Sequence, residues 1–279
     1  MRNSLIFAAI AFAGASQAAT WTWTFDGNYN ELGGGTSLTS NGNIAFEADT
    51  INGEAATVAK LTKGDFLGGQ PADPWLGLAN PIGANGGGTR TNVYSILMDV
   101  RMPGTGWQSL LQSGSSHAAT GTVDAGSGEN DGDWFINTAN GLGISGNYTD
   151  PGNSTFFTND VWTRIVLTID QSNTATGDDR AYKSYVNGVL QNTVQSPSNF
   201  GLDGRYALGS SFWFFADEDR EVRDVWYVNN VMVFDRYLTA SEVRDFGGAQ
   251  AGAPTAVPEP MTMTLLALGA LIARKRKKA

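Results

Sequence analysis

Two acidic runs are dense enough to hold a hard cation. Asp217-Glu218-Asp219-Arg220-Glu221, with Asp224 just beyond, is one; Glu129, Asn130, Asp131 and Asp133 form the other. Calcium takes several oxygens at once, and carboxylates on an irregular loop supply them. Asp217, Asp219, Glu221, Asp131 and Asp133 are therefore candidate ligands, and calcium the candidate cofactor. Neither run has EF-hand spacing, and each also reads as a solvated acidic loop. Three tryptophans, Trp75, Trp107 and Trp134, stand in loop-like settings where an indole face could stack on a sugar; the competing reading folds each ring back onto the core. His117 is the sole histidine, so any Ser-His-Asp triad must use it, and nothing near it in sequence would orient it. With no Cys there is no thiolate nucleophile, no disulfide framework and no Cys-ligated zinc.

Charge narrows the partners. The 279 residues carry a formal charge of −9. Arg2 and five cations at the extreme C-terminus account for six of the 18 Lys and Arg, while all 27 Asp and Glu fall within 20–260, so that segment carries −15. Such a surface argues against nucleic acid, which needs cations to displace counterions. Charged residues are 16% and glycines number 35, which disfavours long solvated helices.

Both ends read as addresses. Arg2, the apolar run Leu5–Ala13 and Ser16-Gln17-Ala18 give a secretory signal over 1–19, with cleavage near Ala19. At the other end Pro258-Glu259-Pro260 precedes the apolar residues 261–273 and then Arg274-Lys275-Arg276-Lys277-Lys278. Thirteen apolar residues make about 20 Å of helix at ~1.5 Å each, short for a bilayer core unless the basic stems snorkel. The order of these three parts resembles the PEP-CTERM sorting signal of Gram-negative bacteria. The resemblance implies transient inner-membrane insertion by a short transmembrane helix. It also implies processing by an exosortase-type protease with Pro258, Glu259 and Pro260 as the handle, and delivery to the cell surface or extracellular matrix.

Between the ends the chain reads as strands. Alternating or apolar runs at 21–25, 94–100, 107–111, 133–136, 161–169, 206–208, 211–215 and 225–234 predict strands. Tyr185-Val186-Asn187-Gly188-Val189-Leu190 predicts a hairpin, because Asn-Gly accepts the positive φ of a two-residue turn. Thr239-Ala240-Ser241-Glu242 predicts a capped helix ended by Gly247-Gly248. The regions 26–56, 83–88 and 113–132 read as long loops, and 249–256 as a linker. The expected architecture is all-β, an antiparallel two-sheet jelly-roll sandwich over 20–248 with one short helix near its end.

Trp162, Ile165 and Asp170 followed by Tyr185-Val186-Asn187-Gly188, and then Val231–Leu238 with Thr239–Val243, resemble the LamG/concanavalin A-like lectin and glucanase superfamily. The resemblance spans roughly 161–248; residues 20–160 fit by pattern alone. It implies that Trp162 is a core anchor and Asp235-Arg236 orders the turn before the helix. Family 16 glycoside hydrolases share the fold and carry alternate acids on one strand, whereas the spacing of Glu218, Asp219 and Glu221 differs. The expectation is therefore a non-enzymatic, exported, surface- or matrix-associated module that binds carbohydrate in an extracellular polysaccharide or matrix. The alternatives are a structural envelope or matrix protein with no discrete ligand, and a divergent glycan hydrolase.

Overall fold

In the computed structural model the described residues are 19–62, 66–67, 70–71, 74–104, 106–114, 132–144, 147–149, 158–172, 181–195, 201–216 and 225–255. In chain order the strands are β1 (Thr20–Thr24), β2 (Thr39–Asn41), β3 (Asn43–Ile51), β4 (Glu54–Thr62), β5 (Phe66–Leu67), β6 (Gln70–Pro71), β7 (Trp75–Ala79), β8 (Val93–Arg101) and β9 (Gln108–Gln112). Then follow β10 (Asp133–Ile136), β11 (Leu142–Ile144), β12 (Asn147–Tyr148), β13 (Thr163–Asp170), β14 (Ala181–Val186), β15 (Val189–Gln195), β16 (Ser211–Phe214) and β17 (Trp226–Phe234). A short helix of about two turns, α1 (Ala240–Phe246), closes the described elements.

Two antiparallel sheets stack face to face. The first runs β15-β14-β13-β8-β17-β4-β3; one edge of β17 is shared, by β4 at Trp226–Val228 and by β1 at Asn230–Phe234. The second runs β12-β11-β10-β9-β16-β7-β2. Side chains alternate along each strand, so one register fixes which residues face inward. Ile96, Met98, Val100, Ile165, Leu167, Val231 and Val233 of the first sheet meet Leu76, Leu78, Trp134, Ile136, Phe212 and Phe214 of the second in one core. The all-β two-sheet sandwich with a short helix is thus as the sequence predicts.

Local chemistry explains the turns. Asn187 (φ 49°) and Gly188 (φ 82°) make the tight turn between β14 and β15. Thr239 caps α1: its hydroxyl accepts from the Glu242 N–H, and the Glu242 carboxylate accepts from the Thr239 N–H at 2.8 Å. Arg236 reaches back to Glu242 at 2.6 Å, which ties the turn to the helix.

Three segments differ from expectation. Of the loop expected over 26–56, residues 39–56 instead carry β2, β3 and the start of β4, a long β3–β4 hairpin turned at Asn52 (φ 50°) and Gly53 (φ 89°) by the same Asn-Gly chemistry. Tyr206–Leu208 is not a strand; Leu208 forms an isolated bridge with Thr91. Residues 249–255 are not a free linker but lie against the first sheet. Ala249 packs with Ile51 and Val58, and the Asn229 amide donates to the carbonyls of Gln250 and Gly252 at 2.7 and 3.3 Å.

The reason for that last contact is a buried charge. Asp99 on β8 and Arg164 on β13 are direct cross-strand partners on the outer side of the first sheet, and neither is exposed. Arg164 Nε and Nη2 donate to the two Asp99 oxygens at 2.7 Å each, and Nη1 donates to the Phe246 carbonyl. Asp99 also accepts from the Asn230 amide at 2.7 Å and from the Gln250 N–H at 3.1 Å. Around the pair, Leu97, Val166, Tyr185, Met232 and Phe234 are covered by Leu238, Val243 and Phe246. The C-terminal segment therefore roofs this face.

Removing one partner of a buried pair strands the other charge. Asp99→Leu should destabilise the chain by about 3–5 kcal/mol in urea unfolding, whereas Asp99→Leu with Arg164→Met should recover a large part of that loss.

Candidate functional site

With the first sheet roofed, a group of outward aromatic residues of the sandwich is found on the outer side of the second sheet. Its residues follow from register. Trp134 and Ile136 point into the core, so Asp133 and Phe135 point out; Phe212 and Phe214 point in, so Trp213 points out; Leu76 and Leu78 point in, so Trp75 and Gly77 point out. Cross-strand pairing extends the set to Gln112 opposite Trp213, Thr39 opposite Gly77, and Asn41 opposite Trp75. Tyr148 opposes Gly143, which in turn opposes Phe135.

Two aromatic groups result. Trp107 packs edge-on to Phe135 and Tyr148, with ring centroids 6.1 and 5.4 Å apart, and all three are half-buried. Trp213 and Trp75, also half-buried, sit on the neighbouring strands β16 and β7. Gly77 makes room for the first of these. A Cβ there would lie 3.0 Å from the Trp213 Nε1 and 2.8 Å from the Thr39 hydroxyl, so the indole crosses the sheet over bare backbone. Thr39 is held by a hydrogen bond from its hydroxyl to the Gly77 carbonyl at 3.1 Å. Between the groups lie Ser109, Gln112 and Asp133, all buried. The accessible part of the face is thus its half-buried rings, with the exposed Thr39 and Asn41 beside Trp75 and Gly77; flat rings beside hydroxyl and amide groups can stack on and hydrogen-bond a polyhydroxylated ligand.

The sequence candidates fare unequally. Trp75 and Trp107 both lie on this face. Trp134 does not: it is 1% exposed, its ring meets Tyr182 edge-on at 5.9 Å inside the sandwich, and its indole is unavailable to a ligand. Asp133 reaches the outer face but stands 3.7 Å from the Arg205 guanidinium, and among the described residues no cluster of three or more metal-ligating side chains occurs. Asp131, Asp217, Asp219, Glu221 and His117 lie outside the described residues, as do Pro258, Glu259 and Pro260. Among the described residues no helix is long and apolar enough to cross a membrane. Trp213 was legible in principle. It is the odd member of Phe212-Trp213-Phe214, and strict alternation with two inward phenylalanines places it outward.

At one end of this face β7 runs into Asn80 and β16 begins after Ser210, and a cavity of about 370 Å³ opens between the loop 80–91, residues 208–210 and Gly114. The loop is pinned from within. The Asn85 side-chain carbonyl accepts from the N–H groups of Asn92 and Val93 at 2.7 and 2.8 Å. Asp203 accepts from the Thr89 N–H at 2.8 Å, the Arg90 N–H at 2.9 Å, the Asn92 amide at 2.9 Å and the Thr89 hydroxyl at 2.8 Å. Burial opposes its charge, but these donors outweigh burial and hold the Asp203 carboxyl well below the usual carboxylate range. Gly88 is required here, since a Cβ would fall 2.2 Å from an Asp203 oxygen.

No family model and no curated protein sequence matches the chain. Solved structures do. The binding domain of botulinum neurotoxin serotype G is 14% identical over 81% of this chain and 49% of its own, with a TM-score of 0.50. A second receptor-binding domain is 11% identical over the same shares at a TM-score of 0.50. The chain thus spans about half the length of those two domains. Domain 4 of AbnA, an extracellular arabinanase of Geobacillus stearothermophilus solved with arabinotriose, is 16% identical over 81% of this chain and 96% of its own, with a TM-score of 0.48. At these identities the likeness is one of fold.

A depressed carboxylate stabilises the folded state above the ordinary carboxylate pKa, and the contribution is lost as pH falls through the folded-state value. Asp203→Asn should therefore lower the thermal midpoint at pH 7. The gap to the wild type should narrow progressively below about pH 4, as read by circular dichroism melts.

Proposed function

We propose that the protein is a non-catalytic carbohydrate-binding module whose ligand lies across the outer face of the second sheet. The observation that carries this reading is the pairing of Trp213 with Gly77, flanked by Trp75 and, farther across the same sheet at β9, β10 and β12, by the packed rings Trp107, Phe135 and Tyr148. A pyranose offers apolar C–H faces to a flat ring and hydroxyls at its rim. Stacking supplies affinity, while the exposed Thr39 and Asn41 are placed to read the hydroxyls. Binding of this kind needs no bond making.

The second part of the proposal concerns place. The leader over 1–19 and the Pro258-Glu259-Pro260 tail with its apolar and basic segments support export. Transient tethering in the inner membrane and exosortase-type release to the cell surface or matrix follow from the same tail. There an extracellular polysaccharide is the partner that the aromatic face suits. Calcium at the acidic runs belongs to the same proposal and is read out by comparing binding with and without chelator.

Affinity electrophoresis or calorimetry against neutral plant and bacterial polysaccharides tests the reading. Trp213→Ala and Trp75→Ala should each weaken binding at least about tenfold, near 1.4 kcal/mol. Val189→Ala, on a distant exposed edge, should leave it unchanged. Equal retention by all three variants would refute the aromatic face as the site.

A further inference from the structure

We infer that the cavity beside the aromatic face seats a single carboxylate-bearing sugar residue, a uronate, belonging to a glycan that is otherwise neutral; this rests on the carbohydrate-binding reading and names its ligand class. The cavity holds one charged group whose bonding is incomplete. The side chains of Asn80, Thr89 and Thr91 that also line it are spent internally. Asn80 donates to the Thr91 hydroxyl and the Gly209 carbonyl and accepts from the Ile82 N–H, at 3.0, 2.7 and 3.0 Å. The Thr91 hydroxyl donates to the Ile82 and Gly83 carbonyls, at 3.2 and 3.1 Å. Arg90 lines the same space, and among the described residues its guanidinium makes no ion pair and no hydrogen bond. The acidic neighbour that could neutralise it, Asp203, is already saturated by four donors, one of them the Arg90 backbone N–H.

A guanidinium presents a planar fork that matches a carboxylate with two parallel hydrogen bonds. The loop that carries Arg90 is pinned by Asn85, Asn92 and Asp203, so little freedom is lost when a ligand docks. The cavity, about 370 Å³, is within the range of small-ligand sites, and Ile82 and Leu208 give it an apolar wall for a ring face. Position ties it to the aromatic track. Ser210, just before β16, is three residues from Trp213, about 10 Å at strand rise, a reach that adjoining sugar units span. Net charge selects the ligand further. A chain of −9 repels a polyanion, whereas one carboxylate delivered to one unpaired cation meets local attraction.

The test uses the full chain and a neutral oligosaccharide ending in one glucuronic acid, with its carboxyl-reduced counterpart as the uncharged match. The wild type should bind the acid form at least tenfold more tightly at low salt, with the preference shrinking as sodium chloride is added. Arg90→Gln should bind both forms alike, with an unchanged melting midpoint because Asp203 is held by the backbone N–H of residue 90. Arg90→Lys should retain part of the preference. Equal binding of the two forms by the wild type, or an acid preference surviving in Arg90→Gln, overturns the inference. Trp213→Ala separates the two ideas. It should weaken both forms by one common factor. If it has no effect while Arg90→Gln abolishes the preference, the aromatic face fails and the cavity stands. Absence of binding to either form by the wild type overturns both.

Discussion

The bidentate pair between Asp99 and Arg164 is the constraint on which the arrangement of this protein depends. The two residues face each other across β8 and β13 on the side of the first sheet away from the core. Two charges there would ordinarily be hydrated. Here neither is exposed, so the face needs a cover that also completes their hydrogen bonding. The cover is the segment after β17. It offers the Phe246 carbonyl to the guanidinium and the Gln250 N–H to the carboxylate, and lays Leu238 and Val243 over Leu97 and Val166. A buried ion pair contributes little net stability, but it penalises any arrangement that leaves the segment off the sheet, and so fixes which side of the sandwich is closed.

Closing one side leaves the aromatic rings on the other. The second sheet carries the outward rings Trp75, Trp213, Trp107, Phe135 and Tyr148, and a glycine where one indole must lie flat. Its end opens on the Arg90 cavity, whose walls are stiffened by the Asn85–Asn92–Asp203 network. Rigid backbone below and few rotatable bonds above describe a surface organised before any ligand arrives.

Sequence reading succeeded where the determinants are local. Asn187-Gly188 and the Thr239–Glu242 capping box each specify their geometry within four residues, and both form as expected. The strand β8 was legible because Tyr94, Ile96, Met98 and Val100 alternate along it. The β3–β4 hairpin was not, although Asn52-Gly53 carries the same turn chemistry as Asn187-Gly188. Its first strand, Asn43–Ile51, lies at a sheet edge and mixes Ala, Glu, Asp and Thr with three large apolar residues, so its alternation is shallow. Trp134 and Trp213 show the other limit. Each has aromatic neighbours on its strand, and a shift of one residue exchanges core for surface, so composition identifies the strand and only register identifies the exposed ring. Arg90 and Asp203 are 113 residues apart, and no local pattern announces that one will be pinned beside the other with the guanidinium left over.

The roofing segment also sets an orientation. Gly252 still accepts hydrogen bonds from Asn229 and Asn230, so the polypeptide departs from the covered side of the first sheet. The aromatic rings stand on the opposite side, across the full thickness of two layers packed about 10 Å apart. Any support that grips the protein by its trailing end therefore holds it like a stamp by its handle, with the printing surface turned toward the surroundings.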